Sequence, residues 1–112
     1  MTAPATGFYS WIASVTANVG SGERCLYAFR AENRNAVARY LQFWDTADGV
    51  AGHGTLIDSI EMWGTSSLIV DTTFLGQGLR FATGLVFAWS TTQSTYTAAT
   101  AADHTFAARF GA

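Results

Sequence analysis

Apolar and polar residues alternate along most of this chain, with the period of two that is typical of half-buried β-strands. The alternation covers five longer segments, residues 8–19, 24–32, 36–45, 55–63 and 104–110. Shorter alternating pieces follow the fourth segment, at residues 66–74 and 79–81. The pattern predicts an all-β fold of about seven or eight strands.

The segment 78–92 contains the densest apolar run of the chain and predicts its central strand. Successive side chains of a strand point to opposite faces, and both faces of this strand are apolar. The alternating positions are Leu85, Val86, Phe87, Ala88 and Trp89. We therefore expect layers of the protein to cover this strand on both sides.

Turn signals between the alternating segments predict how the strands are joined. Asn33 and Asn35 lie between segments 24–32 and 36–45, and Asn tolerates the left-handed backbone region, so these two segments are expected to form a β-hairpin. Residues 1–7 are expected to form a flexible arm, and residues 8–112 a single β-domain. Short antiparallel strands with such frequent turns are typical of a β-sandwich or jelly roll.

The composition favours association of this protein with other protein chains. Charged residues make up only 12% of the 112 residues, while hydrophobic residues make up 49%. The charged share is about half of the usual ~25%. A surface with so little charge favours a protein whose partners cover part of it, and we expect a homo-oligomer, either a dimer or a trimer.

Charge and cysteine content exclude several classes. The net charge is −2, and four of the six arginines fall within residues 24–39, where Glu23 and Glu32 dilute them, so nucleic-acid binding is not expected. Cys25 is the single cysteine and allows no internal disulfide. The first residues do not resemble a signal peptide, and the longest apolar run is too short to span a bilayer. We expect synthesis in the cytoplasm and no membrane partner.

Candidate catalytic and metal-binding residues are few. His53 and His104 are the only histidines, and neither has the spacing of a metal motif. Asp103 precedes His104, but neighbours on a strand point to opposite faces and make a poor catalytic dyad. The carboxylates Asp45 and Asp48 lie near loop glycines without the ligand rhythm of a calcium site. The expectation is a protein that is not an enzyme, with no catalytic, metal-binding or cofactor-binding residues and no cofactor.

Aromatic residues are the remaining candidates for binding. Trp63 lies at the end of its segment on the more polar face and is expected to be the most exposed tryptophan. Phe87 and Trp89 are expected in the core. The other aromatic residues have three alternatives: core positions, a subunit interface or a sugar-stacking platform to which Trp44 would contribute. The predicted subunit or capsid interface consists of Phe8, Tyr9, Trp11 and Trp63.

Two segments carry a resemblance to small bacteriophage virion proteins. In residues 26–45, Asn-containing turn residues are followed by Ala-Arg-Tyr-Leu-Gln and then by Trp-Asp. In residues 78–92, Gly-Leu-Arg-Phe is followed by Gly-Leu and by Ser-Thr-Thr. Residues 46–77 depart from the pattern, which often has a proline-rich middle. The resemblance implies a capsid-decorating (cement) protein or another head- or tail-associated β-protein that acts by assembly.

These observations lead to two functional expectations. The first is a virion protein on the capsid surface, which binds the major capsid protein and stabilises the shell by oligomeric contacts. The alternative is a receptor- or carbohydrate-binding module of a phage fibre or spike. Exposure of Trp63 or Trp44 beside polar side chains would favour the alternative.

Overall fold

The computed structural model describes residues 7–12, 16–70, 79–99 and 104–111, and these contain strands, turns and loops but no helix. Side-chain positions are described from residue 22 onward within these ranges, except at 70, 106, 109 and 111. No helix in this part of the chain could therefore cross a membrane. The nine strands are β1 (Gly7–Ile12), β2 (Thr16–Ser21), β3 (Arg24–Asn33), β4 (Arg39–Asp45), β5 (Thr55–Met62), β6 (Ser66–Val70), β7 (Leu79–Phe81), β8 (Gly84–Ser90) and β9 (His104–Gly111).

The strands form two antiparallel sheets. The first sheet has the order β1-β9-β3-β6, with β7 also paired to β3, and the second has the order β2-β8-β4-β5. The pairing is nested: β4 pairs with β5, β3 with β6 and β7, β2 with β8, and β1 with β9. These strand pairs are thus nested around the connection between β4 and β5.

The two sheets share one hydrophobic core. Their inward-facing residues form a single cluster, with Leu26 and Phe29 of the first sheet beside Leu41, Phe43 and Phe87 of the second. The two rings of Phe29 and Phe43 meet edge to face with centroids 5.0 Å apart. Burial of these large side chains is the main source of stability of such a fold.

Strand β8 is buried along its whole length, which confirms the expected central strand. Leu85, Phe87 and Trp89 belong to the core between the sheets. Val86 and Ala88 lie on the opposite face and form a second small cluster with Trp44. Side chains from the connections after β4 and β8, together with one from β5, pack on that cluster: Ala51, Leu56 and Tyr96.

The connection after β8 is held to the second sheet by two buried polar side chains, Gln42 and Ser90. Nε2 of Gln42 donates to the carbonyl oxygens of Thr92, Gln93 and Thr95 at 2.9–3.0 Å. Oγ of Ser90 accepts from the backbone N–H groups of Thr92 and Thr97. These hydrogen bonds hold this polar segment against the second sheet and satisfy several of its backbone groups.

Two predictions about connections are wrong. Residues 8–19 form two strands, β1 and β2, which belong to different sheets. Segments 24–32 and 36–45 correspond to β3 and β4, which also lie in different sheets and do not form a hairpin. Alternation with a period of two has the same appearance whether the next strand pairs with the last one or crosses to the other sheet. Of the predicted arm, Gly7 begins β1, and residues 1–6 lie outside the described residues.

Candidate interaction surface

The most conspicuous exposed apolar residues flank the turn between β5 and β6. Trp63 is 74% exposed and Ile69 is 78% exposed. Trp63 follows Met62, which is buried, so that the alternation of β5 directs Trp63 outward. The predicted exposure of Trp63 is thus confirmed, and its role in an interface stays a prediction.

A shallow depression of about 240 Å³ lies beside Trp63. Its lining combines apolar side chains of both strands with the polar Glu61, Ser66 and Ser67. A second depression of about 220 Å³ shares Ser66 and Ser67 and extends to Glu32 and Arg34. In that second depression Nε of Arg34 lies 2.6 Å from Oε1 of Glu32.

Buried Asn33 fixes the backbone below this surface. Its Nδ2 donates to the carbonyl oxygens of Val37, Met62 and Trp63 at 3.1–3.2 Å. Its Oδ1 accepts from the backbone N–H of Asn35 at 3.0 Å. One side chain therefore ties the β3–β4 connection to the β5–β6 turn. Asn33 was expected in the turn of a hairpin, but it ends β3 and is fully buried.

The same two connections touch each other directly. The backbone N–H of Thr65 donates to the carbonyl oxygen of Asn35 at 2.9 Å. A Cβ added to Gly64 would lie 2.1 Å from the carbonyl oxygen of Ala36, so only glycine fits at this position. Thr65 has a φ of 54°, a conformation that a β-branched residue rarely adopts unless its surroundings impose it. These contacts fix the turn that carries Trp63.

We call this region the Trp63 surface and define it by Trp63, Val37, Glu32, Arg34, Ser66 and Ser67. Val37 is 58% exposed. The carbonyl oxygens of Val37 and Trp63 both accept from Nδ2 of Asn33. Ser66 adds a further link, because its Oγ donates to the carbonyl oxygen of Trp63. An exposed tryptophan on a rigid base loses little freedom on binding, which is favourable for an interaction site.

The predicted N-terminal interface residues lie on β1, an edge of the first sheet. The register places Phe8 opposite Arg109, Tyr9 opposite Ala108 and Trp11 opposite Phe106. The side chains of Phe8, Tyr9 and Trp11 lie outside the described residues, so their role in an interface stays a prediction. The register brings none of the three next to Trp63, since β1 and β6 lie at opposite ends of the strand order.

Trp44 does not belong to an exposed platform. It is 5% exposed, and its Nε1 donates to Oε1 of Gln42 at 3.1 Å. One of the side chains that cover its cluster, Tyr96, comes from the distant connection after β8, and the sequence offered no sign of this contact. Of the two tryptophans proposed for sugar stacking, Trp63 is the one that the structure exposes.

The two histidines have different surroundings. His104 begins β9, is fully buried and stacks on Trp89, with ring centroids 4.5 Å apart. His53 lies in the exposed connection after β4, where its Nδ1 lies 2.6 Å from Oδ2 of Asp48. Within the ranges that the structure describes, no three His, Cys, Asp or Glu side chains are placed to hold a metal ion. Asp103, which was considered as a dyad partner of His104, lies outside those ranges.

Asp45 has a structural role at the end of β4. Its carboxylate accepts hydrogen bonds from the backbone N–H groups of Ala82, Thr83 and Gly84 and from the hydroxyl of Thr83. Partial burial alone would raise the pKa of Asp45, but these hydrogen bonds outweigh it and lower the pKa below its ordinary value. Asp45 therefore fastens the β7–β8 turn to the second sheet.

Hydrogen bonds also lower the pKa of Asp48, in the exposed connection after β4. The hydrogen bond from His53 is the main reason that its pKa falls to about 2, and those from Thr46 and Val50 add to the effect. The carboxylate form is thus favoured by folding. The stability that this group contributes is present above its ordinary pKa of 3.8 and is lost as the pH falls through about 2.

We expect an NMR titration of the Asp48 carboxyl carbon to give a midpoint near pH 2. His53→Ala should move that midpoint upward, because it removes the largest contribution to the shift. Glu61→Gln changes a carboxyl group elsewhere on the surface and should leave the midpoint unchanged. An identical midpoint in the His53 variant and the parent protein would contradict the assignment.

Comparison of the chain with protein-family models, curated protein sequences and solved structures gave no match.

Proposed function

We propose that this protein is a bacteriophage virion protein that decorates the capsid and cements its shell. It would bind the major capsid protein and stabilise the shell through many small contacts repeated by symmetry. The proposal draws on the resemblance of residues 26–45 and 78–92 to small virion proteins and on the low share of charged residues, 12%. The observation that carries it is the rigidly supported, 74% exposed side chain of Trp63.

We also propose that the two sheets form a jelly roll. The nested pairing of the strands is the pairing of a long hairpin rolled on itself, which generates that fold. In this assignment β6 and β7 act as one interrupted strand, because they pair with successive parts of β3. Jelly rolls occur in viral capsid proteins and also in lectins, so the fold supports both proposed classes of function without choosing between them.

Trp63 is the residue expected to contribute most to capsid binding. Interface energy is concentrated in a few residues, among which tryptophan and arginine are enriched, and Arg34 lies on the same surface. Arg34 is held by Glu32 and presents its charge beside Ser66 and Ser67. A tryptophan that becomes buried at the centre of an interface contributes about 2 kcal/mol or more to binding.

We expect Trp63→Ala to weaken binding to capsids that lack this component by roughly 30-fold or more. Its free energy of unfolding should stay within about 0.5 kcal/mol of the parent value, because the side chain is exposed. Val50→Ala, a change of another exposed apolar residue, should alter neither quantity. The measurement is the number of copies bound per shell as the protein concentration rises. Equal loading by the Trp63 variant, or no loading by the parent protein, would contradict the proposal.

A second candidate is a receptor- or carbohydrate-binding module. It is favoured by one observation, the exposure of Trp63 beside the hydroxyls of Ser66 and Ser67 and the carboxylate of Glu61. Aromatic rings next to polar groups stack against the apolar faces of sugars. A change in tryptophan fluorescence with one glycan, absent in Trp63→Phe, would support this function. Unchanged fluorescence across a glycan panel would count against it.

A further inference from the structure

Within residues 7–12, 16–70, 79–99 and 104–111, no strand pairs with the outer edge of β6, and β6 itself lacks the usual protection of a sheet edge. Strand β6 is the last strand of the first sheet in the described order, and its sequence, Ser-Ser-Leu-Ile-Val, has no charge and no proline. Proteins normally protect an edge with charged residues, proline or a bulge, because unpaired backbone groups invite another strand. Strand β5, the edge of the second sheet, carries the exposed acidic residues Asp58 and Glu61.

We propose that two copies of this chain associate through β6, so that the first sheet continues across a two-fold axis. This inference rests on one part of the proposed function, the expectation that the protein associates with itself. It adds the surface and the strand register through which two copies would pair. We infer a second copy as the partner of this edge because the two-fold axis places exposed residues of opposite charge on either side of β6.

The faces of the strand restrict the possible registers. Leu68 packs against the core, whereas Ser67 and Ile69 are exposed on the outer face of the first sheet. A continuous sheet must pair outward residues with outward residues, because neighbours across a ladder share a face. Among the registers that satisfy this rule, the one centred on Leu68 pairs all five residues of β6. It places Ser67 opposite Ile69 of the second copy.

The charges of the neighbouring strand β3 fit this register. Arg30 pairs with Ile69 and Glu32 pairs with Ser67 within the chain. Residues that lie opposite one another on successive strands form a row across the extended sheet. One such row contains Arg30 and Ile69 of the first copy, followed by Ser67 and Glu32 of the second copy. The symmetric row has the reverse order. Each row thus ends in opposite charges about 14 Å apart between Cα atoms, at three strand spacings.

Side-chain chemistry lets the ends of each row approach one another. Arg30 is exposed and makes no ion pair within the part of the chain that the structure describes. Its aliphatic stem can lie along Ile69, which would cover a side chain that is now 78% exposed. The small Ser67 of the second copy leaves room for its guanidinium group to reach Glu32 there, where it would join Arg34 of that copy at the same carboxylate.

A pairing of five residues is a small interface, so the dimer is expected to be weak in dilute solution. Copies held side by side on a shell would pair more readily, because their effective concentration is high. The solution experiment must therefore reach about 1 mM protein, where a pair with a millimolar Kd is substantially associated.

The test is a charge exchange followed by sedimentation velocity on the purified protein. Arg30→Glu places two acidic residues at the ends of each row, and Glu32→Arg places two basic residues there. Each variant alone should dimerise about 10-fold more weakly than the parent protein. An equimolar mixture of the two variants restores opposite charges in both rows and should form a heterodimer as tight as the parent dimer. A parent protein that stays monomeric at about 1 mM, or a mixture no tighter than its components, would overturn the proposal.

A cross-linking experiment tests the register separately. In chains with Cys25→Ser, mixed S67C and I69C variants should form a disulfide across the axis more readily than either variant alone, since these positions lie opposite each other. Equal yields in the mixture and in the separate variants would contradict the register. Glu32, Ser66 and Ser67 of the Trp63 surface border the paired edge, but Trp63 itself lies outside β6, so Trp63→Ala should dimerise like the parent protein. A failure of capsid binding and a failure of dimerisation are therefore distinguishable.

Discussion

Phe43→Ala is expected to lower the free energy of unfolding by about 4 kcal/mol. Phe43 lies on β4 in the second sheet and is 1% exposed. Its ring meets those of Phe29 and Phe81, both in the first sheet, edge to face with centroids 5.0 and 6.4 Å apart. Truncation would open a cavity between the sheets that the surrounding rings cannot fill without losing these contacts.

Urea unfolding measures the loss as a lower transition midpoint. Phe43→Leu is the matched control, because it keeps most of the volume and should cost about 1 kcal/mol. A domain of this size is stable by about 5–15 kcal/mol, so the alanine variant should remain folded but lose much of its margin. A loss of under about 1 kcal/mol for Phe43→Ala would show that Phe43 does not join the sheets in this way.

Asn33→Ala is expected to cost about 3 kcal/mol, the second largest effect. The variant removes two N–H donors, which three carbonyl oxygens share, and one acceptor at a site that is 0% exposed. The carbonyl oxygens of Met62 and Trp63 would lose this donor, and a buried acceptor without a partner is costly. The β5–β6 turn should also become more mobile.

The control for Asn33 is Asn35→Ala. Oδ1 of Asn35 accepts from the exposed backbone N–H of Val37, and its loss should cost about 0.5–1 kcal/mol. Urea unfolding gives the stability of both variants, and hydrogen exchange of the 63–66 amides reports the turn. If capsid binding depends on the Trp63 surface, Asn33→Ala should weaken it while Trp63 itself is retained. Unchanged exchange at these amides would refute the role of Asn33 as the support of the turn.

The local features of the fold were predictable because they follow from neighbouring residues. The alternation gave the strand content, two apolar faces gave the buried position of β8, and the polar surroundings of Trp63 indicated its exposure. The assignment of strands to sheets was not predictable in the same way. Ala13, Ser14 and Val15 continue the alternation between β1 and β2 and contain no glycine or proline to mark a change of sheet.

The support of the candidate site was also hidden from the sequence. Asn33 has the composition signal of a turn, yet its amide is buried because distant carbonyl groups from the end of β5 converge on it. Trp44 was a candidate for exposure, but the connections after β4 and β8 contribute side chains that cover it. Both outcomes depend in part on contacts between residues far apart in the chain, such as Tyr96 with the Trp44 cluster, and periodicity does not encode such contacts.

The direction of β9 determines where a peptide or protein fused to this domain would emerge. His104 lies opposite Asn33, close to the Trp63 surface, whereas Gly111 lies opposite Cys25 at the other end of β3, about 25 Å away. Gly7 pairs with Phe110, so the first described strand starts at that same far end. A fluorescent protein or peptide epitope fused before Gly7 or after Gly111 would therefore emerge away from the Trp63 surface. A shell coated through that surface would carry such cargo facing outward, at either fusion point.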